Sequence, residues 1–137
     1  MDAGTLELIG RIVLAAVLGA GIGLQRELAR KPAGLRTHAL ICMGAALFTV
    51  VSFVGFGAGD ADWVDTSRVA AGVVTGIGFL GAGTIIRESG GVQGLTTAAC
   101  IWSIAAIGIA SGAGEYILAA TAAALASVIL AIPKIKE

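Results

Sequence analysis

The groups in this chain able to do chemistry gather first in one short basic stretch, Arg26, Glu27, Arg30, Lys31, Arg36, Thr37 and His38, with Pro32 and Gly34 breaking it. Cations at this density can grip anionic lipid heads, each contributing about 1 kcal/mol near a membrane surface. They can equally form a docking surface, with Glu27 pairing to Arg36 and locking the stretch in place. A histidine at this boundary could titrate near neutral pH, although a lone histidine is more often a satisfied hydrogen-bond partner.

Asp60, Asp62 and Asp65 form an acidic group. Mg²⁺ takes oxygen ligands, usually one or two carboxylates plus waters, so a weak magnesium site there is the sharper reading. The plainer one is a solvated loop. In that reading Asp65 caps a helix beginning near Thr66 and faces its positive end, with Arg68 available to pair with it. A third group follows Arg87 and Glu88: Gln93, Thr96 and Thr97, with Ser103 further on. Hydroxyls entering a helix usually bond to backbone carbonyls; here they could also line a small polar pocket with Arg87. No nucleophile, base and orienting group stand at a readable spacing, so no enzyme activity is expected. Cys42 and Cys100 lack metal-ligand spacing, and with a single histidine they read as small packing residues. No cofactor is expected beyond the weak magnesium possibility.

What must position these groups follows from composition. Of 137 residues, 57% are hydrophobic and 13% charged, and mean hydropathy is +0.94. A soluble domain carries roughly 25% charged residues, and a fold this small cannot bury so much apolar surface. Nine Lys/Arg balance nine Asp/Glu, leaving no basic excess for phosphate backbones, so nucleic acid is excluded as a partner. The medium is a lipid bilayer. At about 20 residues per crossing, the apolar stretches predict an all-α polytopic bundle with spans near 6–24, 38–56, 69–86, 96–111 and 116–132. Pro133 stops the last. Five spans are favoured, and four remain open because the last two are short. The expected unit is a single transmembrane domain over 1–137 with no cytosolic C-terminal domain.

Loop charge gives the orientation. With the first loop placed in the cytoplasm, where basic residues concentrate, only Arg11 and Arg68 of the basic residues fall outside. The N-terminus is then outside and the C-terminus inside. Asp2 and Glu7 precede the first span in place of a basic cluster, which argues against a cleaved signal peptide. Glu7 and Arg11, four apart, share a helix face.

Glycines recur at helical spacing: Gly19 and Gly23 in the first span, Gly72 and Gly76 in the third, Gly108 and Gly112 in the fourth. In lipid, close backbone approach and dispersion drive association, and small residues permit both. Packing inside the bundle is favoured, and a homodimer seam stays open. The run Gly76, Gly78, Gly81, Gly83 fits the GxGxxG expression, but a dinucleotide fingerprint must follow a strand and open a soluble helix. Here it sits in a span. The favoured reading is a continuous thin helix wedged among neighbours; the other is an interrupted span lining a cavity.

Three strings together resemble the MgtC/SapB family of membrane proteins: Gly23-Leu24-Gln25-Arg26-Glu27 with Lys31-Pro32-Ala33-Gly34-Leu35-Arg36-Thr37-His38; Ser67-Arg68-Val69-Ala70-Ala71-Gly72 leading into Gly76–Gly83; and Gly94-Leu95-Thr96-Thr97-Ala98-Ala99 with Trp102. They cover most of the chain in order. The resemblance implies a bacterial inner-membrane protein, a link to magnesium limitation and intracellular survival, and a regulatory role exercised on other membrane proteins. It departs where some relatives have Asn for Thr96 and Cys for Ser103, and where many have Gln for Gly72 and an acid for Gln25.

The expected function is therefore regulatory and partner-binding, with the inner loops and the Gly-rich third span making the contacts. The alternative is a small transporter or channel for Mg²⁺ or another cation. No charged residue falls in the middle of a span, where ion-coupled carriers usually place one.

Overall fold

A computed structural model describes residues 1–56 and 65–135. Asp60 and Asp62, the core of the expected weak magnesium site, lie outside the described residues. Five α-helices and one small hairpin make up the described chain.

Helix α1 runs Ala3–Leu28, capped by the Asp2 carboxylate, which accepts the Thr5 amide at 2.8 Å. Helix α2, Leu35–Val51, continues through a π-helical turn, Ser52–Phe56. Helix α3 covers Ser67–Ala82, α4 Leu95–Gly112 and α5 Tyr116–Ala131. α1, α2 with its π turn, and α4 are long and apolar enough to cross a membrane. α3 and α5, at 16 residues each, reach roughly 24 Å, short of a hydrocarbon core of about 30 Å. Phe48, Phe79, Trp102, Ile117 and Val128 are each more than half exposed, an arrangement that suits lipid and not water.

Three boundaries differ from the sequence reading. α1 runs on to Leu28, so Arg26 belongs to the helix and not to the loop. α2 starts at Leu35, which places His38 one turn inside it. The third span, expected to reach Ile86, ends at Ala82, where the Thr84 hydroxyl donates to the Gly81 carbonyl at 2.7 Å. The chain then forms an antiparallel hairpin, β1 (Ile86–Glu88) and β2 (Gly91–Gln93), pairing Ile86 with Gln93, Arg87 with Val92 and Glu88 with Gly91. β-Branched Ile85, Ile86 and Val92 favour extended backbone, and the Gly90-Gly91 turn closes it. Gly94 joins the hairpin to α4 at φ +90°, and a Cβ there would strike the Thr84 carbonyl. Only glycine fits.

α4 is the most buried helix and packs against the other four, and α2 lies between α1 and α4. From one side the small face of α1 packs onto α2: a Cβ on Gly19 would lie 2.5 Å from the His38 carbonyl oxygen, and one on Gly23 would lie 2.7 Å from that of Gly34. From the other side α4 does the same. A Cβ on Gly108 would meet Ala45 Cβ at 2.8 Å, and one on Gly112 the Ala46 carbonyl at 2.5 Å. These four glycines therefore set backbone-to-backbone contacts within one chain, as expected for intramolecular packing. Ala15, Ile22, Cys42, Ala46, Cys100, Ile104 and Ile107 fill the space between.

α3 behaves differently. Its helix is continuous through Gly81, as favoured, but it is not wedged among neighbours. A Cβ on Gly81 would meet the Ala98 carbonyl oxygen of α4 at 3.6 Å, whereas a Cβ on Gly72, Gly76 or Gly78 would touch nothing within 4 Å. Gly83 meets only carbonyls of its own helix end.

Candidate functional site

Two places in the bundle combine features that packing alone leaves unexplained. The first is the end where α1 finishes and α2 and α4 begin. Positions 15, 19, 22, 23 and 26 share the inward face of α1, so Arg26 continues the face that carries Ala15, Gly19 and Gly23. Its side chain is 5% exposed. Nη2 donates to the Pro32 carbonyl at 3.2 Å and to the Thr97 hydroxyl on the first turn of α4. Nε is buried and has no partner among the described residues. No carboxylate reaches Arg26 either: the ion pair seen among the described residues is Arg11–Glu7, at 2.8 Å.

His38 is fully buried beside this group. Its Nδ1 lies 3.0 Å from the Gly34 carbonyl and its Nε2 3.1 Å from Cys100 Sγ on α4. A carbonyl can only accept, so Nδ1 carries the proton in the neutral ring and the Cys100 thiol donates to Nε2. The loop between α1 and α2 is held in an uncommon conformation, with Arg30 at φ 55° and Ala33 at φ 57°, a left-handed region that costs non-glycine residues about 1–2 kcal/mol each.

Several expected arrangements take another form. Glu27 and Arg36 make no ion pair; the Glu27 carboxylate instead lies against Gly34, 3.1 Å from where a Cβ would stand, and Arg36 and Thr37 are exposed. The pocket expected around Arg87 is absent among the described residues, because Arg87 sits exposed on β1 and Arg26 takes the Thr97 hydroxyl. Thr96 is exposed, and Ser103 donates to the Ala99 carbonyl of its own helix at 2.9 Å. Asp65 does serve the start of α3: it accepts the Ser67 hydroxyl at 2.6 Å and the Ser67 amide at 3.0 Å. Those bonds hold its carboxyl below the usual carboxylate range. Arg68 is exposed and not ion-paired with it.

At the opposite end a clamp joins α1 to the α4–α5 turn. Arg11 donates to the Gly112 carbonyl at 3.0 Å, to the Tyr116 hydroxyl at 3.3 Å and to Glu7 at 2.8 Å. Buried Ser111 donates to the Arg11 carbonyl at 2.8 Å. The Glu7–Arg11 spacing signalled the ion pair; nothing local in sequence signalled the link to Gly112 and Tyr116.

The second place is a groove of about 720 Å³ between α2 and α3, walled by Leu40, Phe48, Val69, Val73 and Leu80. Buried Ala45 and Ile77 lie deepest in its lining, and Gly44 of α2 with Gly72 and Gly76 of α3 also line it, a Cβ on any of the three meeting no neighbouring element within 4 Å. The α2–α3 seam is thus open where the seams of α2 with α1 and α4 are closed.

Compared with known proteins, residues 12–137 match the family model described as "MgtC family". A protein named "Putative magnesium transporter YhiD" from Escherichia coli is 51% identical over 115 residues, spanning 82% of this chain and 54% of its own. An uncharacterized protein of Haemophilus influenzae is 46% identical over 114 residues, 80% of this chain and 48% of its own. "Protein MgtC" of Salmonella typhimurium is 45% identical over 121 residues, 87% of this chain and 50% of its own. The chain spans about half the length of these curated relatives. No solved structure matches it.

Proposed function

The chain belongs to the MgtC family, and from that premise we propose that it is a regulatory, partner-binding protein of the bacterial inner membrane, linked to magnesium limitation and intracellular survival, and not an enzyme. The carrying observation is the open α2–α3 groove. Gly19 and Gly23 of α1 and Gly108 and Gly112 of α4 are spent on closing the bundle, while Gly44, Gly72 and Gly76 line one groove and meet nothing within 4 Å. Glycines lining a groove on two facing helices admit another backbone at close range, the way membrane helices associate. The occupant in this reading is a transmembrane helix of another membrane protein, and a second copy of the chain is the other candidate. The orientation that fits has the Arg26 end in the cytoplasm, with Arg30, Lys31 and Arg36 at the lipid heads.

The packing supports this over conduction. Where α1, α2 and α4 meet, the seams are filled by backbone and by Ile22, Ile104 and Ile107, which offer no ring of oxygens to a dehydrating ion. Transport of magnesium or another cation remains the second reading, favoured by the name given to the Escherichia coli relative. Purified protein in liposomes decides between them. The regulatory reading expects no saturable Mg²⁺ flux; robust flux without an added partner overturns it.

A further inference from the structure

A guanidinium 5% exposed, without a carboxylate and with an unpartnered buried Nε, is an expensive arrangement. Buried charges are ordinarily paired, and the two acceptors present, a carbonyl and a hydroxyl, are neutral. Two further sources of positive potential converge on the same spot. α4 begins beside Arg26, since Thr97 belongs to its first turn. α2 begins there too, three residues after the Pro32 carbonyl that Arg26 grips. Both helices start at a glycine, Gly34 and Gly94, with no side-chain cap. The first intrahelical amide bonds are His38 to Gly34 and Ala98 to Gly94, so each helix presents its leading amides without an internal acceptor, at the positive end of its dipole. Arg30, Lys31 and Arg36 are exposed around the site. Glu27 lies by Gly34 without pairing to Arg26.

We propose that this end of the bundle binds a phosphate-bearing anion, seated on the N-termini of α2 and α4, with Arg26 supplying the buried countercharge. Two amide sets and a planar guanidinium match an anion with several acceptor oxygens better than chloride. A phospholipid head and free phosphate share that chemistry. The inference does not rest on the groove or on the regulatory reading, and it survives the failure of either.

The test follows thermal unfolding of the full chain in detergent by circular dichroism. One arm titrates inorganic phosphate against chloride at equal ionic strength. The other adds phosphatidylglycerol against phosphatidylcholine. At least one anionic probe should raise the midpoint saturably beyond its control. A response to phosphate identifies a soluble source, and a response to phosphatidylglycerol alone identifies the lipid head. Arg26→Lys should weaken the effect about tenfold by losing the planar fork, and Arg26→Gln should abolish it. Arg30→Gln, on the exposed rim, should change it less than about threefold. The proposal is overturned if neither probe exceeds its control, or if Arg26→Lys responds like the unaltered chain. Should Arg26→Gln fail to fold, those two results still decide.

Discussion

Arg26 and Thr97 lie 71 residues apart in sequence and meet at the junction of three helices, where the guanidinium donates to the hydroxyl. The bond fixes the end of α1 against the first turn of α4. Thr97→Val keeps the shape and removes the acceptor, leaving a buried cation with one neutral partner fewer. Unfolding in detergent should show a loss of about 2 kcal/mol, the range for hydrogen bonds to charged groups. Thr97→Ser should retain most of the stability.

Glycines at equal helical spacing should respond oppositely to a methyl group. Gly19→Ala and Gly112→Ala place a Cβ 2.5 Å from a backbone oxygen of α2, and overpacking of this kind costs about 1–3 kcal/mol. Gly76→Ala meets open space and gains helix propensity, up to about 1 kcal/mol. The order of melting temperatures should therefore be Gly76→Ala at or above the unaltered chain, and the other two below it.

At the Arg11 end, buried Ser111 holds the α1 backbone. Ser111→Ala should cost about 1 kcal/mol. Tyr116→Phe should cost less, because Tyr116 is 40% exposed and water replaces its bonds. Hydrogen exchange at the α4–α5 turn would report both, with faster exchange in each variant.

Asp65 makes the start of α3 sensitive to acid. The Ser67 hydroxyl and amide lower its pKa in the folded chain, so its contribution is complete above the ordinary aspartate value of about 3.9. It is lost as pH falls through the lower folded value. Between pH 5 and 8 this group should leave the stability of α3 unchanged. Below that, the protection of the Ser67 and Arg68 amides, measured against their intrinsic exchange rates at the same pH, should fall, and Asp65→Asn should remove the acid-dependent part.

Much of the architecture was legible in the sequence, because lipid imposes long apolar stretches bounded by charge. Five helices stand near the expected positions, and the Gly19, Gly23, Gly108 and Gly112 faces pack as their spacing suggested. The hairpin was not legible: three-residue strands carry too little pattern to compete with an adjoining apolar helix. Arg26 was misplaced because it stands among basic loop residues, yet its register with Ala15, Gly19 and Gly23 marks it as facing inward. The burial of His38 beside Cys100 depends on how closely α4 packs on α2, and the emptiness of the Gly72–Gly76 face on how far α3 stands from α2. Those distances are tertiary quantities which no local spacing encodes.

The central claim is that the α2–α3 groove receives another protein's helix. A photo-crosslinking residue at position 76, activated in native membranes, tests it most directly. The account predicts a discrete protein adduct that disappears when Gly44→Leu fills the groove and the fold is retained. Crosslinking to lipid alone, or an adduct unchanged by Gly44→Leu, would contradict it.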